Sequence, residues 1–102
     1  MTLEDGYRNW LAEQSYAAST IRDEISQLRR LERYFGPIAP LGQHGREALI
    51  AQLTYSVEDE RRGRSNPTPL PIMGNLRTNL ATYKKTVRLY ARFLQSIAKD
   101  TA

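Results

Sequence analysis

Arg77, Lys84, Arg88 and Arg92 recur at intervals of seven and four residues in the last third of a 102-residue chain. At about 100° per residue these positions share one stripe of an α-helix, and Lys85 and Lys99 flank it. Such side chains offer fixed positive charge, so the chemistry in question is the binding of an anion rather than bond making. No acidic residue occurs between Arg61 and Lys99 to neutralise them. An earlier set, Arg22, Ser26, Arg29 and Arg33 with Arg30 beside it, has the same layout. The chain carries 15 basic and 11 acidic side chains, a net charge of +4. Seven of the acids lie at or before Glu47, three form Glu58–Asp59–Glu60, and the last is Asp100. This polarised distribution points to a polyanion partner.

Covalent and metal chemistry have no comparable support. His44 is the only histidine and sits in a Pro/Gly segment, Ile38 to Gly45, with no partner for metal binding or Ser/His/Asp catalysis. Glu4–Asp5, Asp23–Glu24 and Glu58–Asp59–Glu60 read as solvated charge. The six glycines are scattered, and none opens a phosphate-cradling loop. The chain has no cysteine, which rules out disulfides and thiolate metal sites and favours an intracellular, cytoplasmic setting. No apolar run approaches the ~18–20 residues a membrane span needs, and the acidic, polar N-terminus is not expected to be a secretory signal. The expectation is a protein with no enzymatic activity of its own, no metal, no cofactor and no membrane partner.

Four main helices must position the basic residues. Leu76, Leu80, Tyr83, Val87, Tyr90, Leu94 and Ile97 alternate by four and three, which predicts a helix from Asn75 to Lys99 with Asn75 as its cap. Leu3 to about Gln14 reads as a first helix, capped by Thr2 with Asp5 in a capping box. Its inward residues are Leu3, Tyr7, Trp10 and Leu11, with Trp10 as a core anchor. Ser19 or Thr20 caps a second helix that buries Ile21, Ile25, Leu28, Leu31 and Phe35 and stops at Gly36–Pro37. Asp23, Glu24 and Glu32 are available for local pairs with its arginines. A third helix runs from about Arg46 to Tyr55, burying Ala48, Leu49 and Leu53 with Ile50 as a further candidate, after a loop with Leu41 tucked inward. Ser56 to Met73 is a proline-rich connection with a positive tip at Arg61, Arg62 and Arg64, and Val57 to Arg62 is able to form a turn. Leu70, Ile72 and Met73 are expected to pin its end. Packed side by side, the second and last helices are expected to bring their basic stripes onto one surface.

The assembled pattern resembles the N-terminal core-binding domain of tyrosine recombinases and phage integrases. The matching stretches are Trp10–Leu11, Ser15 through Thr20–Ile21, Leu28–Arg29–Arg30–Leu31 with Tyr34–Phe35, and Val87 through Leu94. The resemblance as a whole covers roughly residues 3 to 97, and it implies one domain over 1–102, an all-α, orthogonal, SAM-like bundle of four main helices. It implies one half of a clamp on double-stranded DNA, with the second and fourth helices toward the duplex. Ser19 and Thr20 would then lie near a backbone phosphate, with Arg22, Arg29 and Arg33 on one wall and Arg77, Lys84, Lys85, Arg88 and Arg92 on the other. The family's catalytic arginine, lysine, histidine and tyrosine set has no counterpart here. The resemblance therefore implies a fragment whose C-terminal catalytic domain lies elsewhere in the parent protein, or a domain adopted by another DNA-processing enzyme such as a nuclease. Assembly into homo-oligomers on DNA is compatible with it. The competing expectation is a protein-interaction bundle whose basic stripes meet an acidic partner or the rest of its own polypeptide. Tyr34, Leu89 and Phe93, which lie off the main apolar stripes, would form its hydrophobic docking patch if exposed.

Overall fold

Capping chemistry opens the first helix as the sequence predicts. In the computed structural model, which describes residues 1–100, the Thr2 hydroxyl accepts from the Asp5 amide and the Asp5 carboxylate accepts from the Thr2 amide, both at 3.1 Å. The helix α1 follows over Leu3–Glu13. Tyr7 and Leu11, one turn apart, are fully buried, Trp10 is half-buried, and Leu3 is exposed rather than inward. Close approach of α1 to the last helix is possible because residue 6 is glycine: a Cβ there would lie 3.2 Å from Phe93 Cζ.

Ala18–Phe35 form α2, and Gly36 ends it in the left-handed region at φ 81°. Its cap is Ala17, with no side-chain hydrogen bond, so Ser19 and Thr20 fall inside the first turn instead of capping it. Glu32 accepts from the Ile38 amide at 3.0 Å and turns the chain after the helix. A 3-10 turn at Ala39–Leu41 then leads directly into α3, Gly42–Leu53. This helix begins four residues before Arg46, inside the expected loop. Leu49 and Leu53 are buried as expected, but Leu41 and Ala48 face solvent.

Val57–Arg61 form the short helix α4, where Ser56 and Asp59 make a second capping box. The proline-rich connection is tied down by its own side chains. Asn66 Oδ1 accepts from the Thr68 amide and Asn66 Nδ2 donates to the Leu70 carbonyl. Arg30 of α2 donates to the Pro71 carbonyl at 2.9 Å. Leu70 is buried and Ile72 half-buried, whereas Met73 is 91% exposed and pins nothing.

The long helix α5, Leu76–Asp100, starts where Asn75 Oδ1 accepts from the Thr78 amide at 2.8 Å. It packs against α1, α2 and α3, so it is the central strut of an all-α bundle with no strand among the described residues. Its buried arc is wider than the predicted stripe. Thr86, Leu89 and Phe93 join Leu80, Tyr83, Val87 and Tyr90 in the interior. Burial of each large apolar side chain is worth about 1.5–3 kcal/mol, which outweighs any helix propensity term. Of the domain expected over 1–102, Thr101 and Ala102 lie outside the described residues.

Candidate nucleic-acid interface

Packing sets how the two basic stripes lie relative to each other, and the arginines of the α2 stripe stay exposed. Glu24 and Gln27 of α2 both meet Thr86 of α5, so that side of α2 faces α5. Counting about 100° per residue, Arg22, Arg29 and Arg33 lie roughly 120–180° around α2 from those contacts. The α2 stripe therefore points away from α5, and the two helices, though adjacent, do not present one continuous basic wall.

Ion pairing separates the residues further. Arg29 makes a two-point pair with Glu4 of α1, Nε to Oε1 at 2.6 Å and Nη2 to Oε2 at 2.8 Å. Its hydrogen bond holds the Glu4 carboxyl below the ordinary carboxylate value. Arg77 donates to Glu60 of α4 at 3.2 Å. The Lys85 amine lies 3.4 Å from the carboxylate of Glu24. The expected positive tip of the connection is partly neutralised as well, since Arg62 pairs with Glu58 and Arg64 with Asp59. None of Asp23, Glu24 and Glu32 pairs with an arginine of α2.

Lys84, Arg88 and Arg92 are different. Like the exposed Arg22 and Arg33 of α2, none of the three has an ion-pair partner among the described residues, and Arg88 and Arg92 are exposed. At spacings of four they form a ridge along α5, with a shallow cleft on either flank. One cleft, about 170 Å³, is lined by Tyr16, Lys85, Arg88, Leu89 and Arg92. The other, about 180 Å³, brings Gln43, Arg46, Glu47 and Ile50 of α3 up to Arg88 and Arg92. Arg92 is steadied from a third side, where its Cζ lies 5.8 Å from the centroid of the Trp10 ring. Trp10 in turn packs on Tyr7 and Phe93, so it serves as core anchor and as a platform for a basic side chain at once.

Tyr16, which lines the first cleft, lies two residues before the uncapped first turn of α2 that carries Ser19 and Thr20. The amides of that turn have no side-chain acceptor, and a helix N-terminus favours an anion. Arg46 is a component that sequence reading missed. Its signal was available: once α3 is extended to Gly42, Arg46 lies three to four residues from Gln43 and Ile50, on the face they share.

The docking residues expected of a protein-interaction bundle are mostly internal. Leu89 and Phe93 are 4% and 3% exposed, and only Tyr34 reaches solvent, under Arg33. His44 is exposed on α3, and no group of histidine, cysteine and acidic residues suited to a metal occurs among the described residues. No helix is long and apolar enough to cross a membrane. No family model, no curated protein and no solved structure matches this chain.

Proposed function

We propose that this chain is a duplex-DNA-binding module of a site-specific recombinase or integrase, gripping phosphates and leaving chemistry to a separate catalytic domain. The observation that carries the DNA reading is the α5 ridge: Lys84, Arg88 and Arg92, unpaired among the described residues, with Arg46 across a cleft. Guanidinium groups suit phosphate oxygens because their planar fork donates two parallel hydrogen bonds. Contacts of this kind fix register on a duplex without reading sequence, so affinity is dominated by charge. The place in a recombinase comes from the motif resemblance over residues 3 to 97. Burial of Leu89 and Phe93 removes most of the apolar patch of the rival protein-docking reading, whose basic surface is the same as that used here.

The test is competition for the domain bound to a labelled duplex. Unlabelled duplex should displace the probe at far lower charge concentration than polyglutamate does. Equal displacement by the two would transfer the α5 ridge to an acidic protein partner.

A further inference from the structure

Glu24 is a carboxylate almost without water. It is 3% exposed, and its Oε2 accepts from the Thr86 hydroxyl at 2.9 Å. That hydroxyl is itself fully buried and has one proton to give. It also lies 2.6 Å from Gln27 Oε1 and 3.3 Å from the Thr82 carbonyl, so three acceptors share it. Tyr7, whose buried hydroxyl makes no hydrogen bond, is close enough for the Glu24 charge to reinforce the upward shift that burial imposes on it. The one ion pair of Glu24 among the described residues is with Lys85, at 3.4 Å.

Lys85 stands in the opposite situation. Its side chain is 65% exposed, and it is three residues before Arg88, on the wall of the same cleft. It thus has two anions to choose from: the carboxylate behind it and any phosphate seated on the ridge. A phosphate left without Lys85 keeps its water and salt cations, whereas Glu24 left without Lys85 keeps a nearly dry charge. The balance favours the internal pair.

We infer that Glu24 withholds Lys85 from the anionic ligand, so the ridge binds DNA with one positive charge fewer than its sequence carries. This rests on the DNA reading above and assigns Glu24 a role that tunes affinity from outside the contact surface. Removing the carboxylate releases Lys85 to the ligand and adds one phosphate contact. Each contact contributes about 0.9 to the log–log salt slope, so the variant's advantage shrinks by about 3.5-fold between roughly 50 and 200 mM salt.

The experiment measures salt slopes for a ~25-base-pair duplex, long enough for several phosphate contacts, with five proteins: wild type, Lys85→Gln, Glu24→Gln, the double variant and Asp23→Asn. Glu24→Gln should steepen the slope by about one, and the double variant should return it to the wild-type value. Asp23→Asn removes the same charge from the same turn without freeing Lys85, and should leave the slope in place. Lys85→Gln alone should also leave it in place. A slope reduced by about one in Lys85→Gln, or unchanged in a folded Glu24→Gln, overturns the inference. Should Glu24→Gln fail to fold by circular dichroism, the Lys85→Gln arm decides. A wild-type domain that binds no duplex at low salt overturns the DNA reading itself and this inference with it.

Discussion

Arg92 Cζ lies 5.8 Å from the centroid of the Trp10 ring, so α1 steadies the last arginine of the α5 ridge. A cation over an indole face is worth about 0.5–1 kcal/mol at an exposed site, and a guanidinium already oriented loses less freedom when it meets a phosphate. Trp10 is the only tryptophan, so its fluorescence should respond when duplex DNA reaches Arg92. Trp10→Phe should retain the fold and weaken duplex affinity by no more than about 1 kcal/mol. Trp10→Ala should also cost about 2–3 kcal/mol of stability, below the full range for buried aromatics because the ring is half-buried. Urea denaturation and anisotropy check the two effects separately.

Arg77 and Arg88 occupy the same stripe in the sequence but differ in ion pairing. Arg77 is held by Glu60 at 3.2 Å, while Arg88 has no ion-pair partner among the described residues. Arg88→Ala should lower duplex affinity by about 1–2 kcal/mol with little loss of stability, and Arg77→Ala should lower it by less than about 0.5 kcal/mol. Equal losses in the two variants would show that ion pairing does not select the contact residues.

Thr86 is a buried polar link between α2 and α5. Thr86→Val keeps the shape but takes the hydroxyl from Glu24 and Gln27. Leaving buried acceptors unsatisfied should cost about 1–3 kcal/mol, read by urea denaturation. Thr86→Ser should recover most of it. A valine variant as stable as wild type would contradict the polar contact.

Acid should destabilise the domain through three carboxyls. The Arg29 hydrogen bond lowers Glu4 from its ordinary 4.5. Hydrogen bonds from the Thr2 amide and hydroxyl lower Asp5, and those from Ser56 lower Asp59, both from 3.8. A group depressed in the folded state contributes stability above its unfolded value and loses it as pH falls through the folded one. The melting temperature should therefore hold from neutral pH to about pH 5 and decline below it. Glu4→Gln should make the decline shallower. A melting temperature unchanged down to about pH 3 would contradict this linkage.

Caps and the α5 stripe were readable because they depend on neighbours a few residues away. Thr2 with Asp5, Asn75 with Thr78, and the stop at Gly36 are all local chemistry. Glu24 was not read correctly, although its position held the signal: it lies four and seven residues before Leu28 and Leu31 and so shares their buried face. Its charge suggested solvent, but Lys85 and Thr86 sixty residues on made burial tolerable. Arg29 and Arg77 lost their freedom to acids on other helices, which spacing within one helix does not report. The start of α3 was missed because Pro40, Gly42 and Gly45 read as loop, and the structure uses Pro40 to open a 3-10 turn and runs α3 straight through Gly45.

The central claim is that the unpaired cations of the α5 ridge bind duplex phosphates. Anisotropy of a labelled duplex of ~25 base pairs, titrated from about 50 to 200 mM salt, tests it most directly. Four contacts from Lys84, Arg88, Arg92 and Arg46 predict a log–log slope of about −3 to −4, an affinity loss of roughly 100-fold over that range. The Arg88→Ala/Arg92→Ala variant should reduce the slope by about two while staying folded, its melting temperature lowered only by the loss of the Arg92–Trp10 contact, by up to about 8 °C. A wild-type slope near zero, or the same slope in both proteins, would contradict the account.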